Sequence, residues 1–174
     1  GFEGDVCMNS DAEEVESGWI SRFDRLGCRD VDKDGYSDPT DEWIAHPQGF
    51  ADAFPNDPSQ WHDTDNDGFG DNMYYNDGLA ERLAYRGDGC RTTYGLSTFD
   101  RWGCPDSDED GWSDPTPYWL ASPGGTADAW PEDPTQWHDS DGDGRGDNPS
   151  GTTADVCPSQ PGTSVGPSSG GDRW

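Results

Sequence analysis

Apolar residues occur singly or in pairs along this chain, and polar or turn-forming residues separate them. No alternation of apolar and polar positions is long enough to predict a strand. Helical signals are brief: Leu79 and Leu83 lie one helical turn apart, and Thr40 and Thr116 can each cap a single turn. The pattern predicts a mostly irregular fold with short helical turns and little regular sheet.

The sequence is duplicated internally. Residues 23–72 align without a gap with residues 99–148, and about two-thirds of the aligned residues are identical. The Asp172-Arg173-Trp174 tripeptide repeats residues 100–102, so we expect the start of a further unit there. The predicted segments are an N-terminal connector (1–22), the first repeat unit (23–72), a connector with a short helix (73–98), the second repeat unit (99–148), and a linker rich in Gly, Pro, Ser and Thr that leads into the next unit (149–174).

The composition indicates what holds such a chain together. The 174 residues carry a formal net charge of -27, and only 29% are hydrophobic, which is typical of a disordered chain. Nine tryptophans argue against disorder, so disulfides or metal ions must replace the missing apolar core. The negative charge favours cations as partners and disfavours nucleic acid. No apolar run is long enough to span a membrane.

Four loops share the spacing Asp-x-Asp-x-Asp-Gly-x-x-Asp, which suits calcium. Alternate carboxylates in a tight loop point to one side, glycine at position six permits the turn, and position seven offers its backbone carbonyl. Solvated Asp-Gly turns are the alternative interpretation, and four copies in register disfavour it. The predicted ligands are Asp30, Asp32, Asp34, Tyr36 and Asp38; Asp63, Asp65, Asp67, Phe69 and Asp71; Asp106, Asp108, Asp110, Trp112 and Asp114; and Asp139, Asp141, Asp143, Arg145 and Asp147.

A calmodulin-like EF-hand fits only the first half of these loops. Position twelve should be a glutamate, and it is occupied by Asp41, Tyr74, Pro117 and Ser150. The helix that should leave the loop is blocked in three cases by a proline, at Pro39, Pro115 and Pro149. A further carboxylate must therefore come from outside each loop. The candidates are the repeated residues Asp52, Asp57, Asp128 and Asp133.

The Asp loops, the repeated string Asp-Ala-Phe/Trp-Pro-x-Asp-Pro-x-Gln-Trp and the nearby cysteines resemble thrombospondin type 3 repeats, especially those of bacterial and archaeal surface proteins. The resemblance covers residues 23–72 and 99–148. It implies a chain with little regular structure that wraps around calcium ions, about four or more here, with the loop aspartates as ligands. The long connector between the units and the high tryptophan content depart from that family.

Five cysteines predict disulfides with one cysteine left over. We expect Cys7 to pair with Cys28, and Cys90 with Cys104, because each pair joins an Asp-x-Cys sequence in a connector to a Gly-Cys at the start of a repeat unit. Cys157 lies in the same Asp-x-Cys context with no Gly-Cys after it. It is therefore either a free thiol or the site of a bond to another subunit.

These features predict an extracellular protein, secreted or at the cell surface, that is not an enzyme. Disulfides belong to oxidising compartments. No Ser-His-Asp arrangement, glutamate pair or phosphate-binding loop is present, and the carboxylates are better explained as metal ligands. The Ser and Thr residues of 149–169 are candidate sites for O-linked sugars.

The leading interpretation is a structural protein, in which calcium-rigidified repeats join head to tail into a fibril, filament or surface stalk. The alternative is an adhesion or carbohydrate-binding module of a larger calcium-dependent surface protein, with tryptophan-rich faces that bind a ligand. A soluble calcium buffer is a third interpretation. Native material seen by electron microscopy would separate the first from the others.

Overall fold

The computed structural model describes residue 7, residues 20–72 and residues 87–162. Over these ranges the chain contains no helix and no extended strand, so the predicted irregular fold with little sheet is confirmed. Regular pairing there is limited to isolated bridges, at Ile20↔Arg29, Ala45↔Ala51, Thr116↔Trp119, Ala121↔Ala127 and Gly146↔Ala154. The short helix expected around Leu79 and Leu83, and the further unit expected at Asp172, lie outside the described residues.

The threonine that begins the predicted helical turn in each repeat unit caps one turn only. In the first unit the Trp43 amide donates to both the carbonyl and the side-chain oxygen of Thr40, at 3.2 and 3.1 Å. The following residues pair with a later segment, since the His46 amide donates to the Ala51 carbonyl at 2.9 Å and the Ala51 amide to the Ile44 carbonyl at 3.0 Å. The pairing with Ala51 stops the turn from extending into a helix.

The chain divides into two compact units, Gly1–Tyr94 and Gly95–Trp174. Among the described residues, the buried apolar side chains are small: Cys28, Ala51, Cys104, Ala127 and Ala154. Several aspartates are more deeply buried than is usual for that residue type. Those with no more than 2% of their surface exposed are Asp30, Asp52, Asp88 and Asp128. Carboxylates, rather than an apolar core, therefore occupy the interior of each unit.

Aromatic side chains pack against one another in small groups. Trp61 stacks on Tyr36 with ring centroids 5.2 Å apart, and Phe23 contacts the same Tyr36 ring at 5.6 Å. Phe23 nevertheless remains 70% exposed. In the second unit Trp112 lies 4.3 Å from His138, measured between ring centroids. The aromatic rings thus form a partly exposed cover and do not enclose a core.

Disulfides occur where the sequence predicts them. Cys7 is bonded to Cys28 with Cα atoms 5.1 Å apart, which is ordinary disulfide geometry. Cys90 and Cys104 are both disulfide-bonded as well. Cys157 carries a free thiol and is exposed. It is therefore the cysteine left over, as the sequence predicts.

Candidate metal-binding sites

The four Asp-rich loops share one conformation. We number them loop 1 (30–38), loop 2 (63–71), loop 3 (106–114) and loop 4 (139–147). The two carboxylate oxygens at position one accept the backbone amides of positions four and six, at 2.6 and 3.0 Å in loop 1 and at 2.7 and 2.8 Å in loop 4. Loops 2 and 3 have the same pair of bonds. Each loop is therefore folded around its own first aspartate.

This conformation needs a left-handed backbone at two positions. The φ angles at position four are 71° for Lys33, 64° for Asn66, 63° for Glu109 and 80° for Gly142. Position six is glycine in every loop, and Gly35 has a φ of 102°, which side-chain-bearing residues rarely adopt. A Cβ atom on Gly35 would also lie 2.4 Å from the Phe23 ring. The glycine at position six is thus required by the backbone and, in loop 1, by its neighbour.

Three carboxylates converge in every loop. One oxygen from each of positions one, three and five lies within 4.8 Å of the others. In loop 1 the Asp34 amide donates to Asp32 at 3.2 Å, and the Tyr36 amide donates to Asp34 at 2.7 Å. These bonds occupy one oxygen of each side chain. The second oxygens of Asp32, Asp34, Asp108 and Asp110 are buried and have no hydrogen-bond partner.

The aspartate at position nine closes the loop and lies outside the three-carboxylate cluster. One of its oxygens accepts the amide of position two at 3.1 Å in all four loops. The other oxygen pairs with Arg29 at 3.1 Å in loop 1 and with a Ser or Thr hydroxyl in the other loops. The structure therefore gives a hydrogen-bonding role to Asp38, Asp71, Asp114 and Asp147.

Position seven lies beside the cluster. Its backbone amide donates to the position-five carboxylate at 2.7 to 3.0 Å, an arrangement shared by Tyr36, Phe69, Trp112 and Arg145. Each bond fixes the backbone of position seven next to the converging carboxylates. A main-chain oxygen at this place is the ligand that the sequence pattern predicts.

A Phe-Asp-Arg segment holds loops 1 and 3 in place. Asp24 accepts the Ser37 amide at 3.0 Å and the Ser37 hydroxyl at 2.5 Å. Asp100 accepts the same two groups of Ser113, at 2.9 and 2.6 Å. The Phe23 amide donates to the carbonyl of the position-six glycine at 2.8 Å. The segment is repeated in the sequence because it supports each of these loops at the same point.

Each loop is approached by one aspartate from elsewhere in the chain, which we term the external aspartate. For loops 1 and 3 it is Asp52 and Asp128, both named above as candidates from the sequence. Their amides donate to the carbonyls of Ser37 and Ser113, at 2.9 and 3.0 Å. One oxygen of each accepts the amide two residues further on, at 2.7 and 2.8 Å. The other oxygen of each is buried without a hydrogen-bond partner.

The remaining two candidates, Asp57 and Asp133, are not brought into a carboxylate cluster. Asp57 accepts the amide of Ser59 at 3.1 Å and its hydroxyl at 2.6 Å. Asp133 accepts the same two groups of Thr135 at the same distances, and its second oxygen accepts the Thr152 hydroxyl. Hydrogen bonds from Thr135 and Thr152 lower the pKa of Asp133. These residues cap local turns.

The external aspartates of loops 2 and 4 are Asp88 and Asp155, which are not among the ligands predicted from the sequence. Their amides donate to the position-eight carbonyls of Gly70 and Gly146, at 2.7 and 2.9 Å. The second carboxylate oxygen of each is again buried and without a hydrogen-bond partner. A small residue, alanine or glycine, precedes every external aspartate. The same pair also occurs within the loops, at Gly70-Asp71 and Gly146-Asp147, so it is shared by the external aspartates without distinguishing them.

Burial is the main influence on the pKa values of these carboxylates. It raises the pKa of Asp52 to about 8, with repulsion from Asp34 and Asp32 adding to the effect and the hydrogen bond from Phe54 opposing it. Burial likewise raises the pKa of Asp34 to about 7 and that of Asp88 to about 7. The clusters at loops 1 and 2 therefore hold more negative charge than their surroundings stabilise, which a cation would offset.

The donor chemistry of the sites fits a hard divalent cation. In the described ranges, the groups of side chains that converge closely enough to hold a metal ion consist of aspartate alone. Oxygen donors of this kind suit Ca²⁺, Mg²⁺ or Mn²⁺ rather than zinc or copper. The buried carboxylate oxygens without hydrogen-bond partners also indicate a bound cation. Such groups are costly to bury unless they are paired.

Over the residues that the structure describes, the fold and the sites define a protein with disulfides, an irregular backbone and four acidic clusters that can hold metal ions. Neither a protein-family model nor a curated protein matches the chain. Within the described segments, no helix has the length and apolar character needed to cross a membrane.

Proposed function

We propose that this is an extracellular structural protein, without catalytic activity, whose tandem repeats are made rigid by calcium ions in loops 1 to 4. Copies of the chain would join head to tail into a fibril, filament or surface stalk. The observation that supports the proposal is the recurrence of one arrangement four times: three carboxylates within 4.8 Å of one another and an external aspartate with a buried, unpartnered oxygen.

Calcium is the ion that this arrangement favours. Ca²⁺ takes six to eight oxygen ligands in flexible geometry, whereas Mg²⁺ requires near-octahedral geometry and retains several waters. Each site offers the carboxylates of positions one, three and five, the backbone at position seven and the external aspartate. A bound ion would supply the positive charge that the cluster lacks. The external aspartate would then tie a distant segment to the loop.

The expected contribution to stability is large for a protein with so few buried apolar groups. At a calcium concentration tenfold above the dissociation constant, one site adds about 1.4 kcal/mol, and four independent sites add roughly 6 kcal/mol. The total stability of an ordinary domain is about 5 to 15 kcal/mol. Calcium would therefore be a component of the folded state.

The test is thermal unfolding and sizing of one sample in millimolar calcium, in magnesium and in EGTA, at fixed ionic strength. We expect the melting temperature to fall by on the order of 10–25 °C in EGTA, to recover when calcium is returned, and to recover less in magnesium. Electron microscopy of native material should show linear assemblies that chelation disperses. An unchanged melt in EGTA would show that the loops are solvated turns, and a uniformly monomeric native protein would exclude the fibril.

Exposed aromatic rings support a second candidate, a carbohydrate-binding or adhesion module. Tyr118 is 96% exposed and Phe50 is 72% exposed, and flat rings of this kind stack well on sugars. Glycan-array binding in calcium would test it, with Tyr118→Ala and Phe50→Ala as variants. Loss of a specific glycan signal in either variant would favour this candidate, whereas an array without signal would count against it.

A further inference from the structure

The external aspartates come from two different parts of the chain. Loops 1 and 3 receive Asp52 and Asp128, which lie inside the duplicated repeat units. Loops 2 and 4 receive Asp88 and Asp155, which lie in the connectors that follow those units. The sites formed by loops 2 and 4 are therefore complete only when the following connector has folded back onto the loop.

In the second unit, the connector is attached to loop 4 mainly through polar contacts. Gly146 and Ala154 form a parallel bridge, and the amide of Gly162 donates to a carboxylate oxygen of Asp143 at 2.9 Å. Outside loop 4, the connector is also held by the buried side chain of Gln136, which donates to the carbonyl of Thr152 at 2.7 Å. The one sizeable buried group that the connector adds is the Asp155 carboxylate.

The Asp155 carboxylate is buried where the connector meets loop 4. Asp155 is only 5% exposed, and one of its oxygens has no hydrogen-bond partner. Ala154 alone provides too little apolar burial to offset the cost of placing a carboxylate near the Asp141 carboxylate. Asp88, which is fully buried beside loop 2, is in the same situation.

We infer that loops 2 and 4 act as cation-dependent clasps for the connectors, in which a divalent hard cation joins the loop carboxylates to Asp88 or Asp155 and so fixes residues 87–94 and 149–162. The inference rests on the proposed calcium binding and adds that the loops have two different roles. Loops 1 and 3 order each repeat unit internally, and loops 2 and 4 order the segment that leaves it.

Each clasp also sets the backbone at a cysteine two residues beyond the external aspartate. The Cys90 amide donates to the Asp88 carboxylate at 2.5 Å, and the Cys157 amide donates to the Asp155 carboxylate at 2.9 Å. Cys90 is disulfide-bonded. The Asp-x-Cys unit thus connects a cation site with a disulfide at Cys90 and with a free, exposed thiol at Cys157.

Hydrogen-exchange mass spectrometry of the full chain tests the inference, with calcium or EGTA present. In calcium we expect slow exchange in peptides covering 149–162, and exchange at least about tenfold faster in EGTA. Asp155→Asn should give fast exchange in 149–162 even in calcium, while residues 99–114 stay protected and show that the variant is folded. Asp41→Asn, which removes an exposed carboxylate, is the matched control and should behave like the unmodified protein.

The two levels of the proposal fail in different ways. If calcium protects loop 4 but residues 149–162 exchange equally fast with calcium and EGTA, or if Asp155→Asn changes nothing in that segment, the clasp is wrong and calcium binding stands. If no loop gains protection in calcium, the proposed function itself is wrong.

Discussion

The amide of Asp52 donates to the carbonyl of Ser37 at 2.9 Å, and this bond joins a residue outside loop 1 to the backbone that follows its carboxylate cluster. Asp57, a short distance further on, faces Ser59 instead. Two nearby aspartates in the same segment therefore have different surroundings. They form a matched pair for testing which carboxylate from outside loop 1 binds the metal ion there.

We expect Asp52→Asn to weaken calcium binding at loop 1 by about tenfold or more, because the number of charged ligands sets the affinity of such sites. Asp57→Asn should leave the affinity unchanged and alter stability little, because the asparagine side-chain oxygen can still accept the Ser59 amide and hydroxyl. Isothermal titration of both variants with calcium, beside the unmodified protein, measures the difference. Equal affinities for Asp52→Asn and Asp57→Asn would show that Asp52 is not a ligand.

The local part of each site could be predicted from the sequence, because its geometry depends on near neighbours. Alternate aspartates and a glycine at fixed spacing determine the convergence of positions one, three and five. At position nine the sequence alone does not separate a ligand from a hydrogen-bond acceptor, since both roles require a carboxylate. Asp38 shows this, because its oxygens accept the Val31 amide and pair with Arg29.

The remaining parts depend on contacts between residues far apart in the chain, which spacing does not reveal. Asp88 reaches loop 2 because its amide pairs with the Gly70 carbonyl, and the intervening connector has no repeat to align with. The turn after Thr40 is a separate, more local case: it fails to become a helix because Ala45 pairs with Ala51, a little further along the same segment. In both cases backbone pairing, rather than the spacing of residue types, determines the outcome.

Asp110→Asn should change stability in opposite directions with and without calcium. In EGTA the second oxygen of Asp110 is buried without a hydrogen-bond partner, and burial raises the pKa of this residue to about 6. The neutral amide of asparagine removes the repulsion between Asp110 and the carboxylates of Asp108 and Asp106. We therefore expect the melting temperature to rise by about 2–6 °C in EGTA and to fall by a similar amount in calcium.

Asp114→Asn is the contrasting variant in the same loop. Asp114 accepts the amide and the hydroxyl of Ser107, which are contacts that do not involve the cluster. We expect it to lower the melting temperature in both calcium and EGTA. If Asp110→Asn and Asp114→Asn shift the melt in the same direction under both conditions, the distinction between cluster and closing residue is incorrect.

Glycine at position six should differ in importance between loops 1 and 2. Gly35 has a φ of 102° and Gly68 a φ of 92°, so alanine is strained at either place by about 1–2 kcal/mol. A Cβ atom at Gly35 would also lie 2.4 Å from the Phe23 ring, whereas nothing lies within 4 Å of one at Gly68. Gly35→Ala should therefore destabilise the protein more than Gly68→Ala.

Chemical denaturation in saturating calcium measures the free energy of unfolding that Gly35→Ala and Gly68→Ala each lose. The double variant Gly35→Ala with Phe23→Ala separates backbone strain from the steric clash with the ring. In the Phe23→Ala background, Gly35→Ala should lower the free energy of unfolding by about as much as Gly68→Ala does. Equal costs for the two single variants would indicate that the Phe23 ring moves aside freely.

The pH dependence of stability should reverse when calcium is added. Burial raises the pKa of Asp52 from its ordinary 3.8 to about 8 and that of Asp128 to about 7. Without calcium, the folded chain keeps protons that the unfolded chain has released, so its stability is greatest near pH 4 and is lost as the pH rises toward about 8. With calcium those protons must leave the ligands, so affinity should rise over the same range.

Melting temperatures in EGTA and in calcium, at several values between about pH 5 and pH 8, give the two slopes. The net charge of -27 also destabilises the calcium-free protein at high pH through general repulsion, which added salt screens. The measurement is therefore made at high ionic strength, with Asp52→Asn for comparison. That variant should flatten the dependence of melting temperature on pH in EGTA, because it removes one buried titrating group. Slopes of the same sign in EGTA and in calcium would contradict the role of these carboxylates as calcium ligands.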